Sequence, residues 1–307
     1  MKTVDRNAIK KPAWPGVSAL PDMDERQFTL WADLLAQRTG IVLPQERKSF
    51  LVTNLALRMR EIGCADYQEY YRQIHAGRSG ALEWATLVDR LTVHETRFFR
   101  HAPSLSLIRD EFLPGLKRDS HSPLSLQVWS VGCATGEEAY SLAVVLDQHL
   151  QSLQGRHYFG VTATDISLAA LTVARHGVYH RQRLKDLSPV LRAHYFTALD
   201  GDRFQVCERL RQRVCFAQMN ILDEKPVSLG MMDIVYCQNL LIYFDRTRRI
   251  AILERLVRHL RPGGLLVLGP GEIVRWEHPA LARVDRRDTL VFRRHAARDM
   301  PGARGEV

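Results

Sequence analysis

The chain has 307 residues, 46% of them hydrophobic and 25% charged, and its 43 Lys and Arg against 34 Asp and Glu leave a net charge of +9. These proportions are those of globular proteins and exclude a disordered or low-complexity chain. The length suits about two domains of roughly 150 residues each, no run reaches the roughly 20 apolar residues that cross a bilayer, and residues 1–11 lack the apolar segment of a secretory signal.

The five cysteines are Cys64, Cys133, Cys207, Cys215 and Cys237. Their odd number and the lack of a C-x-x-C pair predict neither a disulfide framework nor a metal site, and they fit a reducing cytoplasm. More than half of the positive excess lies at residues 1–13 and 293–307. Solvated ends and a functional basic surface both remain open, and charge alone does not choose among nucleic acid, anionic lipid and an acidic protein.

Residues 1–21 carry Pro12, Pro15, Gly16 and Pro21 and read as an irregular leader. From 22 to 91 the apolar residues recur at helical spacing. Phe28, Trp31 and Leu35 form one stripe, and Leu51, Leu55, Met59 and Ile62 form a second that ends at Gly63. Tyr67, Tyr70, Tyr71 and Ile74 follow an Asp66–Glu69 capping pair, and Trp84, Leu87, Val88 and Leu91 continue the pattern. This predicts an N-terminal all-helical domain. Arg47 and Arg58 lie about three turns apart along one edge of the second stripe.

Residues 92–123 read as a linker containing a helix. From 124 to 295 strands alternate with helices. The runs 126–131, 158–164, 232–237, 265–268 and 289–293 read as strands, and 137–150, 166–175 and 246–260 as helices. Arg261-Pro262-Gly263-Gly264 reads as the turn that stops the last helix. The alternation predicts an α/β domain with a doubly wound, mostly parallel sheet. A basic stretch at about 178–216 interrupts it and reads as an inserted antiparallel hairpin, with Asp200-Gly201-Asp202 as its turn. Residues 296–307 read as a tail.

Three constellations carry chemistry. The first strand runs into Gly132-Cys133-Ala134-Thr135-Gly136 before a helix, where glycines let a ligand approach the backbone. Asp165, ending the second strand, can accept from both hydroxyls of a ribose. Glu137 and Glu138 open the helix, where they would repel a pyrophosphate and suit a ligand bearing an ammonium and a sulfonium, S-adenosylmethionine. Turn glycines of purely structural use are the alternative for the loop alone. The second constellation is Thr92-Val93-His94-Glu95-Thr96-Arg97-Phe98-Phe99-Arg100; by itself it reads as core phenylalanines and a surface charge. The third runs from strand 232–237 into Gln238, Asn239, Tyr243 and Phe244. Polar groups at a strand's carboxyl end face the ligand crevice of this architecture, and a cap with loop packing is the alternative.

Together these segments resemble the CheR-type chemoreceptor glutamate O-methyltransferases, over about residues 24–293. Residues 92–100 resemble that family's Asn-x-Thr-x-Phe-Phe-Arg segment, and 132–138 with Tyr140-Ser141 resemble its Gly-x-x-x-Gly-Glu-Glu-x-Tyr-Ser motif. Ala163-Thr164-Asp165-Ile166 is similar to its ribose-binding strand end, and Met219-Asn220-Ile221-Leu222-Asp223 to its adenine-side loop. Residues 237–245 are similar to its Cys-Arg-Asn-x-Leu-Ile-Tyr-Phe segment.

The resemblance implies a class I methyltransferase-like fold, S-adenosyl-L-methionine as cofactor and S-adenosyl-L-homocysteine as product. By position it implies cofactor contacts from His94, Thr96, Arg100, Gly132, Glu137, Asp165, Asn220, Ile221, Gln238 and Asn239. Glu137 would take the methionine ammonium, Asp165 the ribose, and Asn220 with Ile221 the adenine. Arg100 and Tyr243 would face the substrate glutamate as the catalytic pair, while Arg47 and Arg58 would dock an acidic receptor helix. The implied partner is the cytoplasmic helical region of a methyl-accepting chemotaxis protein, with no nucleic acid and no metal. A glutamate carboxylate, with a pKa of about 4.3, is ionised at neutral pH, so its attack on a sulfonium methyl needs no general base.

The chain departs from the family pattern in three places: His94 stands for Asn, Gln238 for Arg, and Gly269-Pro270-Gly271-Glu272 for a Gly-x-Ser-Glu turn. The inserted hairpin is shorter than in members that dock on a receptor's C-terminal pentapeptide, so such tethering is not expected. Two alternatives stand beside this reading. A nucleic-acid methyltransferase would use the positive charge on the same cofactor domain. A non-catalytic cofactor-binding signalling protein would follow from His94 and Gln238.

Overall fold

Apolar side chains three and four residues apart gather the N-terminal helices into one bundle. The computed structural model describes residues 22–116, 123–223 and 229–296; the leader and all but the first residue of the tail lie outside them. Helix α1 (Glu25–Thr39) starts on a capping box between Asp24 and Gln27 and stops at Gly40, whose φ is 76°. Helix α2 (Lys48–Ile62) stops in the same way at Gly63. Helix α3 (Tyr67–Ile74) is capped by the Asp66 carboxylate, which accepts from the amides of Gln68 and Glu69, and α4 (Gly77–Leu91) follows. Trp31, Leu51, Leu55, Met59, Tyr67, Tyr70 and Leu87 pack together at the centre. Ile62, Tyr71 and Trp84 are only partly buried at its margin.

Helix α5 (Ala102–Leu107) passes into a π-helical turn, Ile108–Phe112. Then come β1 (Leu124–Val131), α6 (Glu137–Gln151), β2 (His157–Asp165) and α7 (Leu168–His176). The insertion holds β3 (Val178–His180), α8 (Pro189–Tyr195), β4 (Phe196–Ala198), β5 (Arg203–Val206) and α9 (Glu208–Arg211). The chain continues through β6 (Val214–Gln218), β7 (Met232–Cys237), α10 (Arg246–Arg258), β8 (Leu260–Leu268), β9 (Leu281–Val284) and β10 (Leu290–Arg294).

The main sheet has seven strands in the order β6-β2-β1-β7-β8-β10-β9. Its first five are mutually parallel, and β10 runs antiparallel to both β8 and β9. This is the doubly wound, mostly parallel sheet expected from the alternation of elements. Val128, Trp129, Val131, Ile234, Val235, Leu266 and Val267 are all buried, as strands covered on both faces require. The strand order reverses between β1 and β7, so their carboxyl ends flank the crevice where such sheets bind ligands. Among the described residues no helix is long and apolar enough to cross a membrane.

Three features differ from the sequence expectation. The insertion is a three-stranded antiparallel sheet, β3-β5-β4, rather than a hairpin, because Val178–His180 pairs with Arg203–Gln205. Strands β6 and β9 are the two edges of the main sheet, and their exposed Cys215, Ala282 and Arg283 blur any apolar run. Residues 261–264 belong to β8: pairing jumps from Met232–Leu260 to Ile234–Leu265, so these residues bulge opposite Asp233, with Gly263 at φ 80°. The Asp233 carboxylate fastens the bulge by accepting from Arg261 at 2.8 Å and from the Gln127 amide at 2.7 Å.

The insertion is anchored on α6, where Asp147 accepts from Arg209 at 2.7 Å and from the Tyr195 hydroxyl at 3.0 Å. Gly136 sits at that junction with φ 94°, and a Cβ there would lie 2.8 Å from the Ala174 Cβ and 3.0 Å from the Tyr179 hydroxyl. Gly201 has φ 69° with open space around it. Gly136→Ala should therefore cost about 3 kcal/mol from strain and clash together, and Gly201→Ala only about 1 kcal/mol. Thermal unfolding of the two variants side by side checks this; equal losses would contradict it.

Candidate active site

The crevice is built on the loop between β1 and α6. Gly132, Ala134 and Gly136 all have positive φ, at 74°, 46° and 94°. The loop is held from the end of β2. The amides of Gly132 and Cys133 donate to the Thr164 carbonyl at 2.8 and 3.0 Å, and the Ala134 amide donates to Asp165 Oδ2 at 2.8 Å. Asp165 Oδ1 accepts from the Ser167 amide at 2.9 Å. Each carboxylate oxygen keeps acceptor capacity for a ligand hydroxyl. Burial raises the Asp165 pKa, and the two amides with the nearby His94 pull it back down.

Helix α6 begins straight from this loop, and its first two residues diverge. Glu138 lines the cleft and accepts from the Ser130 hydroxyl at 2.7 Å. Burial, reinforced by Glu272 and Asp165, lifts its pKa to about 8, against the pull of Ser130 and Arg100. Glu137 is not part of the cleft wall; it is 1% exposed and turns toward the insertion. Its Oε2 accepts from the Thr135 hydroxyl at 2.6 Å, and its Oε1 has no hydrogen bond, with Arg183 Nη1 3.6 Å away. Glu137, expected at the ammonium site, is not among the residues of the cleft wall, and the carboxylate that lines the crevice is Glu138. Adjacent helical positions point about 100° apart, so a Glu pair in sequence does not say which one faces in.

The cleft has a volume of about 330 Å³ and is walled by six segments. His94, Thr96 and Arg100 come from the stretch between α4 and α5. His94 Nε2 lies 3.1 Å from the Asp89 carbonyl, which can only accept, so Nε2 carries a proton. Arg100 donates to the Glu95 carbonyl. Met219, Asn220 and Ile221 form the apolar end. The Asn220 amide bridges the two units, donating to the Arg38 carbonyl at 3.0 Å while its oxygen accepts from the Leu222 amide at 3.1 Å.

Beyond β7, Asn239 and Tyr243 line the wall, Asn239 with φ 59°. The half-buried Tyr243 phenol has its pKa raised by burial, so it stays a donor; Arg47 and Arg100 act against the shift. Gln238 also borders the cleft, but its amide is committed inward. It donates to Ser104 Oγ at 3.1 Å and the Leu268 carbonyl at 3.0 Å, and accepts from the Tyr236 hydroxyl at 2.9 Å. Gln238, expected on the cofactor, thus lines the cleft while its amide is held inside the wall.

Arg47 lines the cleft, and Arg58 does not. The Arg58 guanidinium is engaged at all three nitrogens, with Glu83 at 2.8 and 2.6 Å and Glu61 at 2.9 Å, and Glu83 also accepts from Tyr70. It braces α2 against α4 instead of facing a partner. Sequence reasoning also passed over Glu272. This residue is 2% exposed and accepts from the amides of Leu241 at 2.8 Å and Gly269 at 2.7 Å, holding the loop that carries Asn239 and Tyr243. Its signal was the Gly-Pro-Gly-Glu turn itself. Among the described residues no group of three or more His, Cys, Asp or Glu is placed to hold a metal ion.

Residues 94–289 match the model of the CheR methyltransferase, SAM binding domain, and residues 26–92 match that of its all-alpha domain. The chain belongs to the CheR methyltransferase family. It is 33% identical to a chemotaxis protein methyltransferase of Escherichia coli, over 81% of this chain and 85% of the relative. It is 34% identical to chemotaxis protein methyltransferase 1 of Pseudomonas aeruginosa, over 80% of this chain and 89% of the relative. The CheR cofactor, S-adenosylmethionine, suits the groups in the crevice: a carboxylate at one end, a doubly anchored aspartate in the middle, and the apolar Met219 and Ile221 at the other.

The free protein keeps more protons on Glu138 than the unfolded chain does between the ordinary carboxylate pKa of 4.5 and about 8. Its contribution to stability is therefore full at low pH and is lost as pH rises through that window. Asp165, Glu137 and Glu272, all raised by burial, act in the same direction. The melting temperature of the ligand-free protein should fall from about pH 5 to about pH 8, and less steeply in Glu138→Gln. Melting curves across that range check it; an unchanged slope in the variant would contradict the assignment.

Proposed function

We propose that this CheR-family chain methylates glutamate side chains in the helical cytoplasmic region of a chemotaxis receptor. The products are glutamate methyl esters and S-adenosylhomocysteine. The observation that carries the reading is the charge on the cleft wall, where the Glu138 and Asp165 carboxylates share one cleft with the Arg100 guanidinium and the Tyr243 phenol. A cationic ligand fits the carboxylates, and an anionic substrate fits the guanidinium and the phenol.

Bound S-adenosylmethionine supplies an electrophilic methyl group on sulfur. The chain's residues do the rest by binding and alignment. Glu138 holds the ammonium, Asp165 the ribose hydroxyls, and Ile221 with Met219 the adenine. Arg100 and Tyr243 orient the substrate carboxylate by donating to it. Because Arg100 also donates to the Glu95 carbonyl, it aligns that carboxylate without giving it every N–H. Opposite charges are neutralised as the methyl group moves, so a recessed site with little water favours the step once the groups are aligned. Asp165 and Glu138 belong to the cofactor's end, and the substrate, already ionised, needs no proton removed.

Arg47 on the cleft wall would meet an acidic receptor helix, and the substrate class follows the chemotaxis methyltransferases that the chain is similar to. The test is methyl transfer from labelled cofactor to the cytoplasmic domain of an acidic receptor, followed by treatment with base. Esters should release volatile methanol. Arg100→Ala should lower that release about a hundredfold while the affinity for S-adenosylhomocysteine stays within about threefold. Label that resists base, or equal loss of transfer and affinity, would overturn the reading.

A further inference from the structure

We propose that Arg183 is a positioning residue for methyl transfer, and that the inserted sheet buttresses the segment that carries Arg100. The inference rests on the reading above, in which Arg100 aligns the substrate.

Residues 93–97, between α4 and the turn at Phe98, have no helical or strand hydrogen bonding of their own. Their placement therefore depends on what touches them. Phe98, 2% exposed, meets Tyr179 of β3 and Phe196 of β4 edge-on, at ring distances of 5.0 and 5.3 Å. Both partners belong to the insertion. Tyr179 is fixed in turn by its hydroxyl, which donates to the Thr135 carbonyl at 2.7 Å. Phe99, at φ 52°, donates its amide to Ser141 Oγ of α6 at 2.9 Å.

Arg183 completes the set. It lies in the short 3-10 turn after β3, and its Nη1 donates to the Thr96 carbonyl at 2.8 Å. The same nitrogen is 3.6 Å from Glu137 Oε1, a buried oxygen without any hydrogen bond. The preceding carbonyl, Glu95, accepts from Arg100. Two successive carbonyls are thus held by two guanidiniums, one from the insertion and one from the residue that faces the substrate. The Thr96 carbonyl sets the peptide plane from which residues 97–100 leave. Releasing it frees that plane to rotate and carries Arg100 with it, and a displacement of about 1 Å can cost a hundredfold in rate. The buried Glu137 carboxylate biases Arg183 toward this position, a use for Glu137 that the ammonium site does not supply.

The experiment compares the full chain with Arg183→Ala, Arg183→Lys and Glu137→Gln. Steady-state methylation gives kcat and the receptor KM, calorimetry gives the S-adenosylhomocysteine affinity, and amide hydrogen exchange reports residues 93–100. Arg183→Ala should lower kcat about tenfold, with KM and cofactor-product affinity within about twofold. Exchange at 93–100 should quicken about tenfold while β1 is unmoved. Lys, still able to reach a carbonyl, should restore part of kcat, and Glu137→Gln should show a milder form of the Ala defect. An unchanged kcat with a raised receptor KM would make Arg183 a docking contact and overturn the proposal. So would parallel losses of kcat, affinity and melting temperature. If the wild-type chain transfers no methyl group to a receptor, the proposed function fails, and the exchange result alone then decides whether Arg183 holds the segment.

Discussion

The Thr164 carbonyl and the Asp165 carboxylate, at the end of β2, hold three consecutive amides of the neighbouring loop. That grip is the constraint on which the site depends. It bends residues 132–136 into positive φ at three positions, two of which are glycine. Helix α6 then leaves the loop at one angle only, and its first two residues are sorted by helical geometry: Glu138 inward to the crevice, Glu137 outward to the insertion. Gly132 leaves room for Leu240, whose side chain would sit 3.1 Å from an added Cβ. Loop, helix start and strand ends are therefore one mechanical unit.

The second consequence is electrostatic. Burial raises the Glu138 pKa, Glu272 and Asp165 add to it as like charges, and the Ser130 hydroxyl and Arg100 oppose it. Burying carboxylates together is unfavourable unless protons, amides or a cation offset it. Backbone amides serve that purpose for Asp165 and Glu272. Glu138 has only the Ser130 hydroxyl. A ligand with a positive end removes the deficit, which ties the chemistry of the cofactor to the way the loop is held.

The central strands were legible in the sequence because parallel strands buried on both faces read as nearly continuous apolar runs, as in residues 234–237. Edge strands β6 and β9 were not, since half of each faces solvent or lacks a second neighbour. The crevice residues His94, Thr96, Arg100, Asp165, Asn220 and Tyr243 were found from their motifs, and all line the cleft. What the motifs did not convey was direction. Glu137 lies outside the cleft wall because of the helix turn at which it falls. Gln238 turns into a buried network with Ser104 and Tyr236, and Arg58 is taken by Glu61 and Glu83. The Gln238 and Arg58 outcomes also involve partners distant in sequence, 134 residues away for Ser104 and 25 for Glu83.

The account stands on the crevice at the ends of β1, β2 and β7 being the cofactor site with Glu138 at its cationic end. The most direct measurement is a crystal structure of the chain with S-adenosylhomocysteine. The account places the ligand's amino group within hydrogen-bonding distance of Glu138 and its ribose hydroxyls on Asp165. An amino group bound by Glu137, or a ligand seated outside this crevice, would contradict it.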